Sequence, residues 1–369
     1  YTKLSLESVV SISGLVEKNV QAPGGFEIKI ENLEVLSASD PELPIPVVEK
    51  GDSETDQAKR LDWRWLDLRK PKNAKIFKVW TIMENAFRQY CITNGFIEIH
   101  SPKIVVTSTE SGSELFEIKY FDQKAYLAQS PQLYKQMAMA SGFEKVFEVG
   151  PVFRANPSFT SRHDTEFTMY DIEMSFIDSH HDLMAEEEKM MRFMFESIRP
   201  IYPVEVPTLP FPKLTLKEAK EILAKLGVSS DRGEDMGSEE EKAIASYIKE
   251  KFGHDFVFIY DYPTSVRAFY SMRHEDDPAL SKSFDLLYRG LEITSGAQRE
   301  HRYDQLKKQI LEKGFDKKPF ESYLNFFKYG CPPHGGFAPG PSRLLMKIMG
   351  YNNVRDVTYL YRGVNRLTP

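Results

Sequence analysis

Strand-like runs in this chain follow one another as neighbours instead of alternating strictly with helices, and that order restricts the folds open to it. Runs at 144–154 and 165–177 adjoin across a short polar loop, and further runs lie at 255–261 and 283–294. Helical periodicity is expected at 180–199, 215–226, 238–252, 303–313, 319–328 and 343–350. Adjacent strands pair antiparallel, whereas a doubly wound parallel sheet requires a helix between successive strands. The expectation is an α+β domain with helices flanking an antiparallel sheet. Its first helix runs from Lys75 to Asn94, where Ile76, Trp80, Met83, Phe87 and Tyr90 form one apolar stripe. Gly95 ends it, and GFIEIHSPKIV begins a strand-like run.

The front of the chain reads differently. SVVSISGLV and FEIKIENLEVL alternate apolar and polar positions on either side of the turn signal APGG at 22–25. Two or three strands enclose no stable core alone. Residues 1–38 are therefore expected to be the C-terminal part of a small barrel whose front precedes Tyr1. Residues 39–70, opening on the Pro-, Asp- and Ser-rich stretch 37–57, are expected to be a linker or hinge, and 71–369 the main domain. A formal charge of −6 shows no global basic excess, which does not exclude a local positive groove for RNA. Cys91 and Cys331 lack the spacing of a metal site or disulfide framework and suit a reducing cytoplasm. No apolar run of ~20 residues could span a bilayer, and no signal-like segment opens the chain.

The common phosphate-loop, dinucleotide, zinc-protease and serine-nucleophile patterns are missing from the sequence. Four clusters offer chemistry instead. In VFEVGPVFRANPSFTSRHDTEF, 146–167, a strand delivers Arg154 to a loop that returns with Arg162, His163 and Phe167. Guanidinium forks match phosphate oxygens, and Phe167 could stack on a base; a surface hairpin with charged tips is the plainer reading. In SFDLLYRGLEITSGAQREH, 283–301, Asp285, Glu292 and Ser295 offer oxygen ligands suited to Mg²⁺, and Arg299 follows a Ser-Gly turn. Ordinary surface charges on one half-exposed strand explain them about as well. In YGCPPHGGFAPGPSRLLMKIMG, 329–350, a Gly- and Pro-dense loop leads into a helix with Arg343 in its first turn, an arrangement that favours phosphate. A plain connector is the commoner meaning. Finally, 108–139 carries Glu110 in a small-residue loop, then Gln129 before a proline-led helix start and Lys135 one turn in. Lys135 is a candidate receptor for a carboxylate, set against the usual solvated helix lysine.

Together the clusters resemble the class II aminoacyl-tRNA synthetases, specifically the archaeal and eukaryotic aspartyl type, over nearly the whole chain. GFIEIHSPKI is similar to the family's first motif, with Pro102 at a dimer interface; FRAN with RHDTEF to the second; GPSRLLMKI to the third. TESGSELF, QSPQLYKQ, YDIEM and GLEITSGAQR accompany them in order. The resemblance implies an OB-fold anticodon-binding domain before the catalytic domain. It also implies a cytoplasmic homodimer that joins L-aspartate to tRNA(Asp) with ATP and Mg²⁺. Arg154 would hold the α-phosphate, Arg343 would pack on adenine and reach the γ-phosphate, Phe167 would stack on the other adenine face, and Arg162 and His163 would serve the nucleotide. Glu292 and Ser295 would bind Mg²⁺ with Asp285 nearby. Glu110 and Asp171 would read the α-ammonium; Gln129, Lys135, Arg299 and Tyr270 would surround the aspartate, and Ser295 also borders it. A Lys-plus-Arg pair facing the side chain would repel lysine and disfavour asparagine.

Three stretches depart from the pattern: Asn156 stands where an acid is usual after FRA, Ala338 to Ser342 replace the usual third-motif lead with its acid, and LYRGVNRLTP closes the chain. APGG is similar to members that charge both aspartate and asparagine tRNAs. Two other readings are an ammonia-using relative that makes asparagine from aspartyl adenylate and a non-catalytic RNA-binding relative. The barrel strands oppose the first. The set Arg154, Glu292, Ser295, Arg299 and Arg343 opposes the second.

Overall fold

The computed structural model describes residues 4–48, 54–108 and 114–369. The chain forms two compact units, 1–70 with Pro369, and Pro71–Thr368. In the first, strands β1 (Val9–Lys18) and β2 (Phe26–Ser37) form an antiparallel hairpin around the APGG turn. Gly24 and Gly25 there take φ of 84° and 80°, which a side chain rarely tolerates. Part of the stretch expected to be linker is helical: α1 (Gln57–Asp62) and α2 (Arg64–Asp67). Asp56 caps α1 by accepting from Ala58 N. Buried Asp67 then gathers Arg64 at 2.8 Å and Lys70 at 3.1 Å, charge pairing that a Pro/Ser-rich composition does not reveal.

The second unit begins with α3 (Pro71–Thr93), then β3 (Ile97–Glu98), β4 (Ile104–Val105), β5 (Glu117–Tyr120), β6 (Gln123–Leu127) and α4 (Gln132–Ala140). The hairpin β7 (Lys145–Phe153) and β8 (Glu166–Ser175) follows, then α5 (His180–Ile198), β9 (Lys213–Thr215), α6 (Leu216–Leu226), α7 (Ser238–Phe252) and β10 (Phe256–Tyr260). The rest comprises β11 (Ser283–Tyr288), β12 (Leu291–Gln298), α8 (Tyr303–Glu312), α9 (Glu321–Lys328), β13 (His334–Pro339), α10 (Pro341–Ile348) and α11 (Val354–Val357).

Eight strands make one sheet in the order β3-β7-β8-β13-β12-β11-β10-β9. The six inner strands pair antiparallel, and short β3 and β9 add parallel edges. Two expectations change here. The run 283–294 is two strands, because Arg289 and Gly290 both take positive φ, 49° and 72°, and close a tight hairpin. The Gly/Pro-dense stretch before Arg343 is not a loop throughout: His334–Pro339 is a central strand. Its glycines permit close packing, since a Cβ on Gly336 would lie 2.0 Å from Ile172 O.

Side-chain alternation assigns the two faces. Phe256, Phe258, Phe284 and Leu286 join α3 and α5 in the main core, while Val257, Ile259 and Leu287 pack with α6 and α7. The α3 stripe expected from sequence lies in or against that main core. Within α5, Glu187 is fully buried and has no ion-pair partner among the described residues. Burial above all pushes its carboxyl up to about 8. A carboxyl raised in the folded state stabilises fully below its unfolded pKa of 4.5, and that contribution is lost as pH rises through about 8. The expected outcome is a loss of unfolding free energy of the order of 3–5 kcal/mol between about pH 5 and pH 9. Urea unfolding across that range should show it, and Glu187→Gln should flatten the profile.

Candidate active site

Strand β8 carries two surfaces at once. Tyr170 and Ile172 enter the main core, so Met169, Asp171 and Glu173 face the other way. On β12 the same logic predicts opposite faces for Glu292 and Ser295, which are an odd number of residues apart. A bulge corrects this: Leu287 pairs with Glu292 and Leu286 with Thr294, leaving Ile293 as the extra residue. Ser295 Oγ consequently sits 3.3 Å from Glu292 Oε1 and donates to Asp285 Oδ1 at 2.7 Å. Against this face lies an open cavity of about 340 Å³.

One end of the cavity is cationic. Arg154, Arg162, His163 and Phe167 line it from the β7–β8 loop and strand, and Arg343 lines it from the first turn of α10. Arg154 lies 5.5 Å from the Phe167 ring centroid, and its Nε has no hydrogen-bond partner among the described residues. Arg343 donates to the backbone oxygens of Glu292 at 3.0 Å and Arg162 at 3.3 Å. Arg162 is engaged by both Glu241 oxygens, each at 3.1 Å. Burial, then the charges of Arg343, Arg162 and Arg154, hold His163 down at about 4, so at neutral pH it is an uncharged imidazole beside these arginines. Its Nδ1 faces Ser158 Oγ at 3.0 Å and the Thr160 hydroxyl.

The other end is a buried ionic cluster. Lys135 Nζ lies 2.9 Å from Asp171 and 3.4 Å from Glu173, and Arg299 Nε reaches Glu173 at 3.0 Å. Lys135 is 1% exposed and Arg299 5%, so the plain surface reading of both fails. Burial pushes the Asp171 carboxyl up against the pull of Lys135. At Glu173 the upward push of burial is outweighed by Arg299 and Lys135, which hold it below its ordinary value. Tyr270 lines the same end, its ring centroid 5.3 Å from the Arg299 guanidinium.

The residue pattern of tRNA synthetases class II (D, K and N) matches residues 56–362. The chain belongs to that family. It is 46% identical to the aspartate–tRNA(Asp/Asn) ligase of Aeropyrum pernix, over 99% of this chain and 85% of that one. It is 45% identical to the aspartate–tRNA(Asp) ligase of Pyrococcus abyssi, over 100% and 85%. Among solved structures, asparaginyl-tRNA synthetase from Pyrococcus horikoshii complexed with asparaginyl-adenylate superposes with a TM-score of 0.91 at 35% identity, covering 100% of this chain and 85% of that one. Aspartyl-tRNA synthetase from Entamoeba histolytica gives 0.85 at 36%, covering 100% and 80%.

Within this class II synthetase cavity, several expected residues sit off the lining. Gln129 is buried beside it, between β6 and α4. Glu110 lies outside the described residues. Asp285 faces Ser295, but both its oxygens accept from Arg267, at 2.9 and 2.6 Å, so its charge is already balanced. Pro102 is exposed outside the cavity, on the connection between β3 and β4. The absent third-motif acid is offset locally, because Glu292 approaches Arg343 at 3.4 Å and backbone oxygens aim the guanidinium. Asn156 lines the cavity. Sequence reasoning missed Glu173, Arg267 and Glu241. Glu173 had a readable signal, since it stands two residues after Asp171 and shares its strand face. Arg267 and Glu241 come from distant segments with no such mark.

For divalent metal, Glu292 and Ser295 supply hard oxygen atoms beside the cationic end, the donor type Mg²⁺ takes. Burial pushes the Glu292 carboxyl up, Arg343 opposing and Asp285 and Glu241 adding to it. A cation between these groups suits that negative field. The buried cluster also makes a test of its own: Glu173→Gln leaves Lys135 and Arg299 with one buried acid between them. Breaking such a pair costs about 3–5 kcal/mol, and urea unfolding at neutral pH should show a loss of that size.

Proposed function

We propose that this aspartate–tRNA ligase activates L-aspartate with ATP in the 340 Å³ cavity and transfers it to tRNA(Asp). The observation that carries the reading is the polarity of the cavity, with a cationic, partly open end for a nucleotide and a buried Lys135–Arg299 end for a small carboxylate. The names of the A. pernix and P. abyssi relatives support it.

The aspartate α-carboxylate attacks the α-phosphorus of ATP, and pyrophosphate leaves. Arg154, with its unpartnered Nε, holds the α-phosphate, and Phe167 and Arg343 sandwich the adenine, with Arg343 also reaching the γ-phosphate. Arg162 and neutral His163 border the phosphate tail. Asp171 receives the α-ammonium, while Lys135 and Arg299 meet the side-chain carboxylate, with Tyr270 and Gln129 shaping the space. Positioning and charge complementarity carry the acceleration. Glu292 and Ser295 would hold Mg²⁺, with Asp285 orienting Ser295; the ion neutralises phosphate charge when bound. The tRNA ribose hydroxyl then attacks the mixed anhydride and AMP departs.

The exposed apolar side chains Ile97 and Ile104, on either side of Pro102, support a homodimer through this edge. The β1–β2 hairpin is proposed as part of an OB-fold that reads the anticodon. The APGG turn and the Asp/Asn name of the A. pernix relative support tRNA(Asn) as a second acceptor. No helix among the described residues is long and apolar enough to cross a membrane. The cytoplasm is proposed as the site of the reaction.

The test is amino-acid-dependent ATP–pyrophosphate exchange with aspartate, asparagine, lysine and glutamate. Exchange with aspartate alone is expected. Lys135→Ala should lower its kcat/KM at least ~30-fold, because losing a buried charged contact costs about 2–5 kcal/mol. Exchange with none of the four would overturn the proposal, and charging assays on both tRNAs would separate the acceptors.

A further inference from the structure

A second cluster of ligating side chains lies at another place in the fold. His180 opens α5, Asp261 follows the last residue of β10, and His274 comes from the 261–282 connection. Their ligating atoms all fall within 4.8 Å of one another. His274 Nε2 is 2.8 Å and His180 Nε2 3.2 Å from the same oxygen, Asp261 Oδ1.

Three features separate this cluster from an incidental polar contact. His180 is 2% exposed, and its Nδ1 has no hydrogen-bond partner among the described residues, while Nε2 lies 3.2 Å from Asp261 Oδ1. A buried imidazole left in that state is costly unless something else engages it. Asp261 adopts φ of 59°, an uncommon conformation for a residue with a side chain. By strand alternation it would follow Ile259 toward α6 and α7, and in this conformation its carboxylate instead meets His180 of α5. Lastly, ligands around a tetrahedral ion with bonds of about 2.0 Å lie about 3.3 Å apart, and both imidazoles approach the Asp261 oxygen at comparable distances.

We propose that His180, Asp261 and His274 form a binding site for a borderline divalent transition ion of the zinc type. Two imidazoles and one carboxylate suit such an ion better than Mg²⁺ or Ca²⁺, which take oxygen ligands. The three residues supply three ligands and leave a position for water. Bound there, the ion ties the start of α5 to the end of β10 and to the connection that carries Arg267 and Tyr270 into the cavity.

The test uses the full chain, stripped with chelator and dialysed against Zn²⁺, with bound metal measured by mass spectrometry and Co²⁺ absorption as a second probe. One Zn²⁺ per chain is expected, with a raised Tm. His274→Gln and Asp261→Asn should each weaken binding at least ~100-fold, since even groups outside the ligand set are worth about 10–100-fold. Both variants should keep aspartate-dependent exchange, which confirms folding, and either variant alone suffices. Failure to retain Zn²⁺ overturns the proposal. So does retention unchanged in the folded variants, which would place the ion elsewhere, for example at Cys331 and His334, whose Sγ and Nδ1 lie 3.6 Å apart.

Discussion

Four buried charges at the middle of the sheet set the terms for everything around them. Asp171 and Glu173 project from one strand, and Lys135 and Arg299 arrive from a helix start and a strand end to meet them. Each ion alone would be prohibitively costly to bury; together they sum to zero, and their geometry compensates much of the desolvation. The compensation demands close approach, which is why the neighbouring strand has glycine at the crossing. A Cβ on Gly336 would stand 2.2 Å from Glu173 Oε2, and the Gly336 carbonyl accepts from Arg299 at 3.0 Å. A run that reads by composition as a connector is therefore a strand in the sheet interior.

The opposite end of the cavity follows another rule. Its arginines are only partly buried, and two of them are held by acids or backbone oxygens that leave a face toward the cavity. Glu241 and Glu292 keep this dense positive field from repelling itself before a polyanion arrives. The same field, added to burial, keeps His163 neutral. A residue grouped with arginines in sequence as a cation thus becomes a hydrogen-bonding group. Burial first, and the neighbouring like charges after it, decide its role more than residue type does.

Much of the fold was legible because both periodicities were clean. The α3 stripe, the β7–β8 hairpin and the α5 to α7 helices fall within a few residues of their expected bounds, for hydrophobic faces specify them directly. What resisted reading was phase. Asp285 and Glu292 lie in different strands, separated by the Arg289–Gly290 turn, and a bulge at Ile293 turns Glu292 and Ser295 to one side. Residue spacing on a supposed single strand puts Asp285 and Ser295 on one face, as observed, but Glu292 on the wrong one. Pairing partners such as Arg267 for Asp285 and Glu241 for Arg162 depend on tertiary approach across many residues, which no local pattern encodes.

The contrast between the two ends bears on selectivity. Where charges are exposed, a ligand can be held by many adjustable contacts, and small differences between ligands cost little. Where they are buried and already balanced, an arriving side chain must enter without leaving any of the four unpaired. On the proposed reading, a carboxylate shares Lys135 and Arg299 while Asp171 receives an ammonium, so charge stays matched. A cationic side chain would face Lys135 and Arg299 with no anion to spare, and a neutral amide would interrupt their pairing without replacing it. Discrimination then comes from the penalty on the wrong ligand as much as from attraction to the right one. That penalty grows with the depth at which these charges sit, since Lys135 is 1% and Glu173 0% exposed.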